Sequence, residues 1–328
     1  MAHIIRVGVL RGGPSSEYEF SLGTGASILS AFRDHAEGLY QAKDIFIDRK
    51  GNWHIDGIAI RPEEIAHRID VVFNALHGTY GEDGKVQSFL EAHQIPFTGS
   101  GSLSSALGMN KILSKKIMAS QGIKSPYFRE LSTSEFEKAP RETALMLFGS
   151  FIMPAVVKPA AGGSSVGVSI VKKSSDWLPA LEKAAKHGDS ILIEEFIQGI
   201  EAACGIIENF RGKDLYALPV VEIKPSTEYF DYESKLEGNY EKIVPATFSH
   251  ELKKEIEGLA QKIHQTLGLR HYSRSDFIIH PRRGIYALEV NTLPGLTEES
   301  LVPKALHAVA SDLRELADHL IQLALNKK

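Results

Sequence analysis

One cysteine in 328 residues, Cys204, excludes an intrachain disulfide framework and any cluster of thiolate metal ligands, and suits a reducing compartment. Long hydrophobic runs are missing too. No window approaches the roughly eighteen apolar residues of a membrane span, and the first residues lack the apolar stretch and cleavage site of a secretory signal. A cytoplasmic protein without a membrane partner is expected. Charge of one sign is scarce: 37 basic against 41 acidic side chains leave a net charge of -4, which offers no bulk attraction to nucleic acid or anionic lipid. There is no solenoid repeat and no low-complexity tract. The 43% apolar and 24% charged residues are those of a globular enzyme or binding protein, long enough to divide into at least two domains.

What is present alternates. Residues 4–10 form a nearly continuous apolar run closed by Arg11-Gly12-Gly13-Pro14, a buried parallel strand entering a turn. A helix is predicted over 21–32, a strand over 44–48 and a second buried strand over 70–76, ending in the glycine-rich segment 77–84. Alternating strands and helices predict a doubly wound α/β unit to roughly Gly108. A helix over 110–121 carries Lys111, Lys115 and Lys116, and Gly122 ends it. Strands at 155–158 and 168–171 then form a hairpin around a glycine loop, followed by a helix over 176–187 and a strand over 191–196. The third portion has strands at 202–208 and 216–223. A polar, aperiodic stretch over 224–245 reads as a functional lid. Helices over 249–267 and 312–325 complete the chain.

Three groups of residues could carry chemistry. Residues 275–280 and 285–291 are strand-like, with Pro281-Arg282-Arg283-Gly284 as a four-residue turn. If His280 pairs with Ile285, Asp276 faces Glu289 and Arg274 faces Asn291, all four on one face because strand side chains alternate. Two carboxylates and an amide oxygen there suit Mg²⁺ bound jointly with phosphates; a solvated hairpin with an ordinary Asp–Arg pair is the alternative. Lys158 at a strand end before a Gly/Ser-rich loop suits an anionic ligand, or else a flexible hairpin tip. Neither the Walker nor the dinucleotide glycine pattern is present. Glu17 and His77 follow the C-terminal ends of predicted parallel strands, where open α/β sheets bind ligands, although either residue alone could equally be a solvated loop side chain. Cys204 reads as an inert core thiol.

Taken in order, the motifs Gly12-Gly13-Pro14-Ser15-Ser16-Glu17, Leu76-His77-Gly78 with Gly81-Glu82-Asp83-Gly84, Phe97-Thr98-Gly99-Ser100-Gly101, Met109-Asn110-Lys111, Val157-Lys158-Pro159 with Gly163-Ser164-Ser165-Val166-Gly167, Phe230-Asp231-Tyr232-Glu233-Ser234-Lys235, Ser273-Arg274-Ser275-Asp276 and Glu289-Val290-Asn291-Thr292-Leu293-Pro294-Gly295, with Ser300-Leu301-Val302-Pro303 beyond, resemble those of the ATP-grasp ligases. Within that group they resemble the D-alanine–D-alanine ligase family, over nearly the whole chain. The resemblance implies an α/β fold, α+β in part: a Rossmann-like parallel-sheet domain (1–108) and two α+β lobes (109–197 and 198–328) enclosing ATP.

It also implies roles. Lys111 and Lys158 would contact ATP phosphates, with Ser164, Ser165, Val166 and Gly167 closing over them. Glu194, Glu195, Phe196 and Ile197 would meet the adenine, largely through backbone groups, and Glu201 the ribose. Asp276, Glu289 and Asn291 would hold two Mg²⁺ ions, for which Mn²⁺ could substitute. The first D-alanine is expected near Glu17 and His77, the second near Arg274, Ser300 and Leu301, with Lys235 on the lid. Arg274 and the Gly295 N–H would face the developing oxyanion, and Glu17 and Ser164 would organise the closed site. A homodimer is a family expectation. One departure concerns the lid: Lys235 is followed by Leu236 where the family usually has Tyr, so a hydroxyl that would join Ser164 and Glu17 is absent. A ligase taking D-lactate or D-serine as second substrate, or a nucleotide-dependent binding protein without turnover, are the alternatives.

Overall fold

The computed structural model describes residues 4–33, 38–163, 166–225 and 240–326. The predicted roles of Ser164, Ser165, Lys235 and Leu236 lie outside these residues. The first sheet has β1 (Ile5–Gly12) at its heart, parallel to β2 (Tyr40–Ile47) and β5 (Val71–Asn74), with β3 (Trp53–Ile55) and β4 (Ile58–Ile60) added antiparallel beyond β2. Its central strands are apolar on both faces because helices cover both. On one face Val7, Val9 and Phe73 pack with Ile28 and Phe32 of the helix Tyr18–Arg33. On the other, Leu10, Ile45 and Val72 pack with Val86 and Leu90 of the helix Lys85–Ala92. The first face also receives Leu316, Leu320 and Ile321 of the final helix, Leu313–Leu325, so the end of the chain returns to the first core. The helix predicted from residue 21 begins a turn earlier, at Tyr18.

The second sheet is antiparallel, in the order β6 (Phe128–Ser132), β9 (Ser190–Glu195), β7 (Ala155–Pro159), β8 (Ser169–Val171). The predicted hairpin around the glycine loop is β7–β8. Trp177, Leu181 and Ala184 of the helix Trp177–Ala185 fill the core beneath it.

The third sheet runs β13 (Tyr240–Ile243), β12 (Val221–Pro225), β10 (Ile200–Phe210), β14 (Tyr272–His280), β15 (Gly284–Asn291), with β11 (Lys213–Ala217) also on β10. The helix His250–Thr266, capped by Ser249, covers it through Ile256, Ala260 and Ile263. Three expectations need correction here. The single strand predicted over 216–223 is two: β11 pairs with Ile206–Phe210, and β12 with Glu201, Ala202 and Ala203 of the same strand. Between them Leu218 N–H bonds Gly205 O at 2.8 Å, and Pro219, having no N–H, cannot continue the ladder. The stretch 224–245 is not wholly irregular, since Tyr240–Ile243 is a strand paired to β12.

The β14–β15 register differs from the expected one and still yields the expected face. Arg274 opposes Asn291 and Asp276 opposes Glu289, but beyond Asp276 the register slips by one, so Phe277 opposes Ala287 and Leu288 is the extra residue of a β-bulge. The turn therefore holds three residues, not four. Gly284, at φ 80°, pairs with His280 as the left-handed residue that such a loop requires.

Candidate functional site

A cleft of about 420 Å³ opens where the three sheets meet. Glu17 and His77 line it from the first sheet's side, Lys111 and Gly163 from the second, and Arg274, Asp276, Glu289, Asn291, Gly295, Ser300 and Leu301 from the third. A smaller cleft of about 150 Å³ adjoins it, lined by Lys158, Val166, Glu194, Glu195, Phe196, Ile197 and Glu201. The two share Lys111, Gly162, Gly163, Glu201, Leu288 and Glu289, so they are continuous. Gly167 lines neither. At φ 76° it turns the loop, and a side chain there would collide with Pro159 and His187.

The first-sheet residues are held from below. His77 is buried, with Nε2 2.8 Å from Thr24 Oγ1 and its ring against that of Phe20. Glu82 accepts from Gly78 N–H at 2.9 Å and lies 3.7 Å from His77 Nδ1. Glu17 begins the turn into the helix Tyr18–Arg33, and its carboxylate sits beside both Gly78 and Gly163, where a β-carbon on either glycine would crowd it. The glycine loop of the second sheet is thereby brought onto the strand-end motif of the first.

Lys111 opens its helix directly after Asn110, whose side chain caps it by accepting from Ile112 N–H and Leu113 N–H, both at 3.1 Å. The Lys111 ammonium donates to Gly162 O and lies 3.5 Å from Glu289 Oε2. This lysine connects the glycine loop to the acidic face of the β14–β15 hairpin. Lys158 turns inward, with Nζ 2.6 Å from Glu194 Oε2, so the Glu194 carboxylate is engaged with lysine inside the lobe. Glu195 is likewise tied, with Arg283 Nη2 2.9 Å from each of its oxygens. Glu195 and Phe196 N–H groups donate to Tyr127 O and Pro154 O.

On the hairpin, Arg274 grips Asp276 through two bonds of 2.7 and 2.8 Å, and Asn291 Nδ2 donates to Asp276 at 3.0 Å. Both alternatives weighed from the sequence are thus partly present: an Asp–Arg pair exists, but it lines a cleft and is mostly buried. Burial alone would lower the Arg274 guanidinium; the Asp276 carboxylate, with Glu289 and Glu82 beyond, carries its pKa above the ordinary value. Gly295 packs where any β-carbon would overlap the Phe20 ring and crowd Ser300 Oγ, so its backbone stays open to the cleft. Ser300 Oγ lies 2.7 Å from Thr297 Oγ1.

Several lining residues were not singled out from sequence. Glu82 stood in a recognised glycine-rich segment without a role, and Phe20 looked like an ordinary helix residue. Tyr240 and Lys242 line the cleft from β13, and Lys242 Nζ donates to Glu299 O at 2.6 Å. Their two-residue spacing was the available signal, hidden because the stretch was read as aperiodic. Leu288 faces both clefts through the bulge.

Among the described residues no helix is long and apolar enough to cross a membrane. Known proteins resemble this chain closely. The family model for the C-terminal part of D-ala D-ala ligase matches residues 117–322, and that for the N-terminal part matches 56–100. D-alanine–D-alanine ligase of Desulforamulus reducens is 38% identical over 325 residues, covering 98% of this chain and 99% of that protein. The enzyme of the same name from Geotalea uraniireducens is 39% identical over 324 residues, with 98% and 96% covered. In three dimensions the VanG D-Ala:D-Ser ligase from Enterococcus faecalis superposes with a TM-score of 0.84 at 28% identity, covering 98% of this chain and 100% of that one. The D-alanine-D-alanine ligase from Coxiella burnetii gives 0.82 at 25% identity, with 99% and 95% covered. With full-length relatives above 30% identity and both family models matched in order, the chain belongs to the D-alanine–D-alanine ligase family.

Proposed function

We propose that this protein joins two D-alanines, consuming ATP and releasing D-alanyl-D-alanine, ADP and phosphate for peptidoglycan synthesis. One observation carries this reading beyond family membership: an amino-acid end (Glu17, His77, Ser300) and a polyphosphate end (Lys111, Gly163, Glu289) line one continuous cleft. A carboxylate is a poor electrophile. In the first step a carboxylate oxygen of the first D-alanine bonds to the γ-phosphorus of ATP, ADP leaves with the cleaved bond's electrons, and an acyl phosphate forms. In the second, the free amine of the other D-alanine attacks the acyl carbon. Phosphate departs, and the nitrogen gives its proton to solvent.

Lys111 and Lys158 offset the charge that would repel the first attack, and Val166 and Gly167 belong to the loop closing over the phosphates together with Ser164 and Ser165. Glu194 to Ile197 form the adenine side, and Glu201 meets the ribose. Arg274 and the Gly295 N–H serve the tetrahedral oxyanion, where donors act more strongly on developing charge than on the ground-state carbonyl. His77 and Glu17 orient the first D-alanine, Ser300, Leu301 and Lys235 the second. Parts 1–108, 109–197 and 198–328 act as the three units, with 224–245 as the lid that keeps water from the acyl phosphate.

The donor chemistry of the hairpin fits Mg²⁺. Asp276, Glu289 and Asn291 share one face of the cleft, and no cluster of three or more His, Cys, Asp or Glu exists among the described residues, so the remaining ligands would come from phosphate oxygens and water. Two Mg²⁺ ions, or Mn²⁺, held by Asp276, Glu289 and Asn291 would supply charge neutralisation at the transferred phosphoryl group. The test is phosphate release from ATP and Mg²⁺ with and without D-alanine, with mass-spectrometric identification of the product. Dipeptide formed in proportion to phosphate is expected; ATP turnover indifferent to D-alanine would sink the reading.

A further inference from the structure

The helix that presents Lys111 carries another lysine one turn on. Lys115 is fully buried and lines neither cleft. Its ammonium lies 2.7 Å from Glu194 Oε1, an ion pair outside hydrogen-bond angles, while Lys158 takes the other oxygen at 2.6 Å. One carboxylate thus stands between two ammonium groups, one wholly inside the lobe and one at the cleft wall. Burial alone would raise the Glu194 carboxyl; the charges of Lys115 and Lys158 outweigh it and hold it below its ordinary value.

Such an arrangement is a poor way to gain stability. Burying an ammonium costs several kcal/mol, and replacing a buried ion pair by apolar groups of similar volume is often neutral or favourable. Its geometric consequence is more specific. With Oε1 occupied by Lys115, Glu194 can offer Lys158 only Oε2, so the Lys158 ammonium is held at one point on the cleft wall. Without Lys115 the carboxylate is free to rotate and take Lys158 with both oxygens, drawing it into the lobe.

We propose that Lys115 is a positioning residue for the nucleotide site: by engaging one oxygen of Glu194 it fixes where Lys158 presents its charge to the bound nucleotide. The inference rests on the reading of Lys158 as a nucleotide contact. It requires no contact between Lys115 and substrate.

The test uses the whole protein in three variants, Lys115→Met, Glu194→Gln and the double substitution, read by calorimetric ADP affinity and by steady-state kinetics in ATP. Lys115→Met should weaken ADP binding and raise KM for ATP about tenfold, the scale of one displaced charge-assisted contact, with kcat changed much less. Glutamine offers a single carbonyl oxygen, so in the double variant Lys158 again has one acceptor. Lys115→Met with Glu194→Gln should therefore bind ADP within about fivefold of the parent, better than Lys115→Met alone. Glu194→Gln alone, with two ammonium groups and no carboxylate, should be less stable to heat than the double. A merely structural lysine would give the opposite order, with the double variant no better than the single. If Lys115→Met does not fold, the double variant decides: it buries no unpaired charge, and ADP affinity reduced more than about fivefold would overturn the proposal. ADP binding involves no D-alanine chemistry, so a parent that binds ADP but makes no dipeptide would defeat the ligase reading and leave this test intact.

Discussion

The Glu17 carboxylate lies against the backbone of Gly163: a β-carbon on that glycine would stand 2.9 Å from Oε2 and 3.0 Å from Oε1. The first residue ends a strand motif of the parallel sheet and the second belongs to the glycine loop of the antiparallel one. The colliding atoms are the far end of a flexible side chain, which can swing aside at small cost. Gly163→Ala is therefore expected to leave thermal stability nearly unchanged, within about 1 kcal/mol, while displacing Glu17 and raising KM for D-alanine roughly tenfold. Calorimetry alongside initial rates checks both halves, and a large fall in stability with normal KM would show that Gly163 serves the fold.

Glu289 faces Asp276 across the hairpin and lies 3.5 Å from Lys111. Glu289→Gln keeps the shape and removes one charge from that face. Turnover at limiting Mg²⁺ should fall at least about tenfold, with partial recovery at high Mg²⁺. A variant whose Mg²⁺ titration matches the parent's would remove Glu289 from the metal face.

Glu208 predicts an acid limb of stability. Its Oε2 accepts from His271 N–H at 2.6 Å, and His264 Nε2 lies 3.4 Å from Oε1. Burial would raise this carboxyl, but the bonds from His264 and His271 hold it below the ordinary 4.5. A carboxyl lowered in the folded state binds protons less readily there than in the unfolded chain. Its contribution is therefore complete above 4.5 and lost as pH falls below that value. Glu208→Gln should cost about 1.5–3 kcal/mol near neutrality, as expected for a charged hydrogen bond, and should lessen the loss of stability between neutral and acidic pH. Denaturant titrations across that range measure both.

Cys204 is fully buried on β10 with Sγ 3.5 Å from Leu218 O, and burial pushes its thiol pKa well above the ordinary value. The thiolate is the reactive form, so a disulfide reagent should leave the native protein untouched at neutral pH and titrate one thiol after denaturation. Rapid labelling of the native protein without loss of secondary structure would contradict the burial.

Much of the site was legible in local sequence because its chemistry is carried by short, contiguous signals. Apolar runs ending in glycine located β1 and β5 with Glu17 and His77 at their ends. A lysine before a glycine loop marked the β7–β8 hairpin, and alternation in β14 and β15 put Asp276, Glu289, Arg274 and Asn291 on one face. That last success depended on the fold absorbing an error. The assumed turn was one residue too long, and the bulge at Leu288 restored the pairing at Asp276. A bulge has no local signature, because it is set by how the strand must twist to keep both its core and its cleft faces covered. The split of 216–223 into β11 and β12, and the pairing of Tyr240–Ile243, also waited for the partner strands, since hydrogen-bond ladders join residues far apart in the chain.

The sequence by itself determined which segments are strands and helices, that no disulfide forms within the chain, and which motifs carry ligand chemistry. Tertiary structure alone decided that Lys115 and Lys158 share the carboxylate of Glu194, that Glu17 touches the loop at Gly163, and that the last helix returns to the first sheet. The division follows from range. Side-chain periodicity acts over a few residues and can be read directly. Ion pairs and core contacts between distant segments exist only once burial has brought those segments together, and the low-dielectric interior then makes each unmatched charge costly enough to fix its partner.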